Sequence, residues 1–186
     1  MILSSTVKQR LLNATSKHSD QYLLMKASEE LLELSEELLK YLKFADVKVG
    51  RRKQVHDVCV ELCDVMLVIA AMQERHGSPE KDILIKDRME IDKEIEMHGH
   101  WEHSSGTFNS VSSFTALARM LVQFVTKRKS TKDFGPMAEG IMEVRCHIYR
   151  LCALFRFSDT QAEIIMNEKL TKLENYNREI PNFGSI

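Results

Sequence analysis

Helix breakers are scarce in this chain: seven glycines and three prolines are spread over 186 residues. Inside a helix glycine costs about 1 kcal/mol and proline about 3 kcal/mol relative to alanine. A chain that largely avoids both, and is rich in Leu, Glu, Lys and Met, reads as all-α along most of its length. Hydrophobic residues make up 44% of it. That is enough apolar material for one sizeable core or two small stacked ones.

The formal net charge is −1, and neither half concentrates the lysine and arginine that a phosphate-backbone footprint needs, so no nucleic-acid partner is expected. Charged residues interrupt every apolar run before membrane-spanning length, and Met-Ile-Leu-Ser-Ser lacks the basic stretch and apolar core of a signal peptide. A cytoplasmic protein with no membrane contact is expected. Cys59, Cys63, Cys146 and Cys152 match neither a zinc knuckle nor a Cys-x-x-Cys motif and read as reduced thiols inside helices.

A short amphipathic segment at 7–12 precedes a polar stretch at 13–20, and a long helix is expected over 21–44. Polar residues 46–52, with Gly50, break it. A second helix covers 53–75 and stops at His76-Gly77. Ser78-Pro79-Glu80 then offers a capping serine and a proline suited to the first helical turn, opening a third helix that runs to about 97. Residues 98–113 fit neither period and read as a linker. Its histidines, His98, His100 and His103, are explained by solvation, because no fourth ligand stands at a recognisable metal spacing.

Helices resume at 114–126, 137–157 and 159–178. Ser78-Pro79-Glu80 and Ser158-Asp159-Thr160 open the third helix of each set alike, which suggests an internal repeat of about 80 residues. The expected organisation is a first helical half at 1–97, a linker at 98–113 and a second helical half at 114–186. Two unrelated helical hairpins are the alternative.

Two acidic patterns stand out. Glu30 and Glu33 lie about 60° apart on one helix surface, with Glu37 between them, beside the apolar stripe of Leu23, Ala27, Leu34 and Leu38. In the second helix Glu61 and Asp64 alone interrupt an apolar run at 58–72, sharing a direction with Val65 and Val68. The first group alone reads as a solvated acidic face, but two acids embedded in an apolar run do not. Buried carboxylates need protons or cations. With no basic residue expected on that face of either helix at matching spacing, Mg²⁺, which prefers oxygen ligands, supplies the charge. Acidic pairs on facing helices are an established way to build such sites.

Glu29-Glu30-x-x-Glu33, an interval of 27 residues, and Glu61-x-x-Asp64 resemble the signature of the MazG-like all-α NTP pyrophosphohydrolases, relatives of dimeric dUTPases and dCTP pyrophosphatases. Gln21 and Lys26 upstream, and Asp-Val-Met-Leu-Val-Ile in the second motif, also fit. The resemblance covers 21–97. It implies a helical bundle of two related three-helix halves forming a pseudo-dimer, with Mg²⁺, or Mn²⁺ in its place, on Glu30, Glu33, Glu61 and Asp64. It further implies phosphate contacts from a Lys-Met-x-x-Asn-Arg-like element, at whose place Arg88-Met89-Glu90-Ile91-Asp92-Lys93 stands with Asp92 for the usual Asn. Gln21, Lys26, Arg88, Asp92 and Lys93 are the expected substrate contacts.

The second half has Ala116-Leu117-Ala118-Arg119 where a Glu-x-x-Glu would stand, and Glu143-x-x-Cys146 in place of the other acidic pair. It resembles a degenerate repeat that has lost its ligands. Its final helix, with Asn167-Glu168-Lys169, still resembles the family's Lys-rich element, solvated charge being the equal alternative.

The implied activity converts a (d)NTP to the (d)NMP and pyrophosphate. The bound ions would neutralise the triphosphate and activate a water that Glu29 or Glu33 orients or deprotonates. The base would sit near Gln21, Tyr22 and the second half or Trp101. A non-catalytic helical nucleotide-binding or protein-interaction module is the alternative function. A di-iron bundle ranks behind both, because neither metal helix carries Glu-x-x-His and His56 and His76 sit at the ends of the second. An intramolecular pseudo-dimer and a homodimer both remain open.

Overall fold

The computed structural model describes residues 3–43, 51–76, 103–127 and 135–179. Among them every regular element is an α-helix: α1 (Ser5–Thr15), α2 (Asp20–Lys43), α3 (Arg51–His76), α4 (His103–Thr126), α5 (Gly135–Phe155) and α6 (Asp159–Glu179). None is long and apolar enough to cross a membrane.

Helix ends follow local chemistry. The Ser4 hydroxyl accepts from the Val7 N–H at the start of α1, and Ser19 accepts from the Tyr22 N–H, at 3.1 Å, at the start of α2. Before α6, the Ser158 N–H donates to Gln161 Oε1 while the Gln161 N–H donates to Ser158 Oγ, a reciprocal capping box. Helix α5 ends with Arg156 at φ 53° and the Phe157 N–H on the Cys152 carbonyl, a Schellman turn closed without the usual glycine.

The expected linker at 98–113 is corrected from its sixth residue onward, where α4 begins at His103. Its serine-rich composition misleads because the hydroxyls turn back onto their own helix: Ser110 donates to the Gly106 carbonyl and Thr115 to that of Val111. Val111 and Phe114 are meanwhile buried on the same helix. The expected third helix, up to about 97, lies outside the described residues.

Helix α2 is the hub, packing against α3 on one side and α4 on the other. Leu23, Ala27, Leu34 and Leu38, the stripe expected to face inward, are all buried. They join Leu62, Val65, Leu117, Leu121, Leu151 and Leu170 in one continuous core. Each large side chain so buried contributes about 1.5–3 kcal/mol. Ser28 donates across the α2–α4 contact to the Ala118 carbonyl. Gly140 lets α5 approach α4, since a Cβ there would stand 2.7 Å from Met120 Cε.

Helix α6 crosses back onto α1 and α3. Arg10 grips Glu174 through Nε and Nη2, each 2.9 Å away, and also reaches Asn167 and Thr171. Arg75, near the end of α3, donates to the Thr15 and His18 carbonyls and to Asp20, tying α1 to α2. These two arginines fix α6 and α1 around the face where α2 and α3 carry their acids.

Candidate metal centre

Helix periodicity puts Glu30 and Glu33 one turn apart on α2, and Glu61 faces them from α3. One carboxylate oxygen from each of the three lies within 4.8 Å of the others. Glu30 is buried, Glu61 half-buried and Glu33 exposed, so the cluster opens from the core to solvent. Glu61 Oε2 is itself buried and has no hydrogen-bond partner.

Such crowding of like charges has an electrostatic signature. Burial, then Asp64, Glu33 and Glu30, push the Glu61 carboxyl up to about 7, against the pull of Lys169. Burial and the neighbouring Glu30 raise Glu33 as well. Asp64 is also raised: burial outweighs the hydrogen bond and charge of Lys169. The ensemble carries more negative than positive charge and presents hard oxygen donors that could hold a metal ion.

Asp64 lies outside the triad of converging oxygens. Its Oδ2 is instead engaged by Lys169 Nζ from α6. The expectation that neither metal helix offers a basic residue on this face is corrected by Lys26, and Lys169 reaches the face from a third helix. Lys26, one turn before Glu30, places Nζ 2.7 Å from Glu30 Oε1 and 3.1 Å from Glu29 Oε1. Burial opposes the charge of Lys26, but its hydrogen bonds to Glu30 and Glu29 prevail and raise its pKa. The sequence alone assigns Lys26 only a substrate contact. Lys169 was missed because it is 105 residues from its partner, with only the charged 167–175 stretch as a signal.

Of the two acids expected to handle the attacking water, Glu33 sits in the triad and Glu29 is exposed beside Lys26. Glu37, expected on the same ridge, pairs with Lys40 at 2.7 Å. Gln21 is exposed. Arg88, Asp92, Lys93 and Trp101 lie outside the described residues.

Beside the acids runs a cleft of about 170 Å³. Lys26, Glu30, Asp64 and Lys169 form its polar wall, Leu23, Leu67, Val68, Leu170 and Leu173 its apolar one. At its edge Tyr22 is stacked on His18, ring centroids 4.4 Å apart. Tyr22 is an expected base contact, whereas no local pattern marks His18, whose pKa burial and the nearby Arg75 lower.

A second polar cluster occupies the α4–α5 contact. Ser113 donates to Glu143 Oε1 at 2.6 Å and lies 3.1 Å from His147 Nε2, while Ser110 Oγ lies 3.1 Å from His147 Nδ1. None of the four cysteines forms a disulfide. No protein-family model, no curated protein and no solved structure matches the chain.

Proposed function

We propose that the acids of α2 and α3 are the metal centre of a nucleoside triphosphate pyrophosphohydrolase of the MazG-like type. The observation that carries this reading is the meeting of Glu30, Glu33 and Glu61 oxygens within 4.8 Å, with Glu61 Oε2 buried and unpartnered. A solvated acidic face would splay its carboxylates into water. Glu30, Glu33 and Glu61 would hold a divalent ion directly, and Asp64 would join them on release from Lys169. Mg²⁺ so bound supplies Lewis-acid charge neutralisation and a water of lowered pKa.

The chain's own groups do the rest. The cleft takes the nucleotide with its phosphates toward the acids and Lys26, and its apolar wall excludes water from the other side. Tyr22, 46% exposed, offers a stacking face to a base. Glu29, exposed beside the centre, is placed to orient the attacking water and accept its proton. Attack at the α-phosphorus releases pyrophosphate and leaves the monophosphate.

The pseudo-dimer belongs to the same proposal. Eighty residues beyond Glu30 and Glu33 stand Ser110 and Ser113, of which Ser113 meets an acid, Glu143, across a helix pair. Helix α6 of the second half lies against α1 and α3 of the first. A cytoplasmic location accompanies this reading.

The test is release of pyrophosphate from a panel of canonical and modified NTPs with Mg²⁺, comparing the protein with Glu61→Gln. Activity that the substitution abolishes, with helical circular dichroism unchanged, is the expected result. Undiminished activity in Glu61→Gln removes the proposed ligand, and no activity across the panel favours the non-catalytic binding module.

A further inference from the structure

We propose that Lys26 and Lys169 are exchangeable counter-ions, which hold Glu30 and Asp64 while the centre lacks metal and turn onto an anionic ligand when divalent ions replace them. This rests on the metal reading above and adds how the centre is filled. Both ammonium groups already touch a carboxylate of the centre. Both also line the cleft beside it. A lysine head moves several ångströms on its flexible stem without any backbone shift. Released from its carboxylate, each therefore remains within the same cleft wall, now as an uncompensated cation.

The charges decide the order of events. With all four ionised, Glu30, Glu33, Glu61 and Asp64 face Lys26 and Lys169 with an excess of two negative charges, which a single divalent ion cancels. Glu29, 55% exposed, stands outside the converging triad, where water screens it. A second divalent ion would leave this half-buried site with an excess of two positive charges, which is costly unless an anion enters with it. A polyphosphate is such an anion, and the two freed ammonium groups flank the space it would occupy. The centre thus takes one divalent ion alone and a second only together with a polyphosphate, a coupling between two ligands. Lys169 makes α6 part of that coupling, although its partner acid lies on α3.

Equilibrium dialysis of the protein against Mn²⁺, with and without inorganic tripolyphosphate, counts bound metal and bound phosphorus together. One Mn²⁺ is expected without tripolyphosphate and two with it. Lys169→Met and Lys26→Met should each tighten Mn²⁺ binding about tenfold when tripolyphosphate is absent, and weaken tripolyphosphate binding about tenfold when Mn²⁺ saturates. Lys169→Arg keeps the charge and should largely restore both values, while thermal unfolding verifies that each variant is folded. Lysine variants that alter neither affinity overturn the proposal, as does tighter Mn²⁺ binding with unchanged tripolyphosphate binding. Wild-type protein that retains no Mn²⁺ under either condition overturns the metal reading itself, and this proposal with it.

Discussion

Among the described residues two helix pairs hold polar clusters, and they solve the problem in opposite ways. Between α4 and α5 the cluster is closed. The Ser113 hydroxyl gives its hydrogen to Glu143, so it accepts from His147 Nε2–H, and Nδ1 then shares the single Ser110 hydrogen with the Gly106 carbonyl. Every nitrogen of the buried imidazole has a protein partner. Between α2 and α3 three carboxylates converge, and one buried oxygen of Glu61 has none. A network that satisfies itself contributes to stability and specificity of packing, whereas one left short of positive charge is stable only with protons, lysines or a metal. The difference marks the α2–α3 pair as the place to look for chemistry.

The contrast breaks most visibly through activity and metal binding. Glu30→Gln and Glu33→Gln should each lower Mg²⁺-dependent pyrophosphate release at least about a hundredfold, a loss on the scale of removing a metal ligand or its support. Ser113→Ala and His147→Gln should leave Mg²⁺ affinity within about twofold, as isothermal titration would show. Comparable losses from both sets would erase the distinction between the two clusters.

Stability should respond in the reverse sense. His147→Ala opens a cavity and strands Ser110 and Ser113, at a cost of about 2 kcal/mol or more in urea denaturation. Glu61→Gln should instead stabilise the metal-free protein at pH 8, by on the order of 1 kcal/mol after solvent screening. Its folded pKa of about 7 lies above the ordinary 4.5. Stability without metal is therefore fully present below about pH 4.5 and lost as pH rises through about 7. Denaturation in the presence of a chelator across that range checks the sign, and Glu61→Gln should flatten the slope.

The smallest expected effect belongs to the closed cluster. Burial first, and then Arg150, lower the pKa of His147, against the pull of Glu143. The unfolded chain binds that proton more readily, so this contribution is intact above pH 6.5 and lost as pH falls through that value toward the lower folded pKa. Comparing pH 7 with pH 5.5 in His147→Gln and the parent isolates it at below about 1 kcal/mol. A parent curve flat in that window beside an equally flat variant would show that His147 is not shielded.

Much of the architecture was legible from residue pattern. The spans expected over 21–44, 53–75, 137–157 and 159–178 fall within about two residues of α2, α3, α5 and α6, because local propensity and amphipathic period act within a few turns. The convergence of Glu30, Glu33 and Glu61 was legible for the same reason: two acids embedded in the apolar run of α3 must face a neighbour. The start of α4 was not, since a run of serines carries the local signature of a loop, and the burial of Thr107, Ser110 and Phe114 overrides it.

What the sequence determined by itself is the helical class, the placement of most helices and the faces that carry the acids, all properties of short-range periodicity. Only the tertiary structure decided that Lys169 reaches Asp64, that Ser110, Ser113, Glu143 and His147 close on one another, and that a cleft opens beside Lys26. Those depend on which helices pack together and at what rotation. That choice is made by the summed burial of the whole core, so no local stretch of sequence contains it.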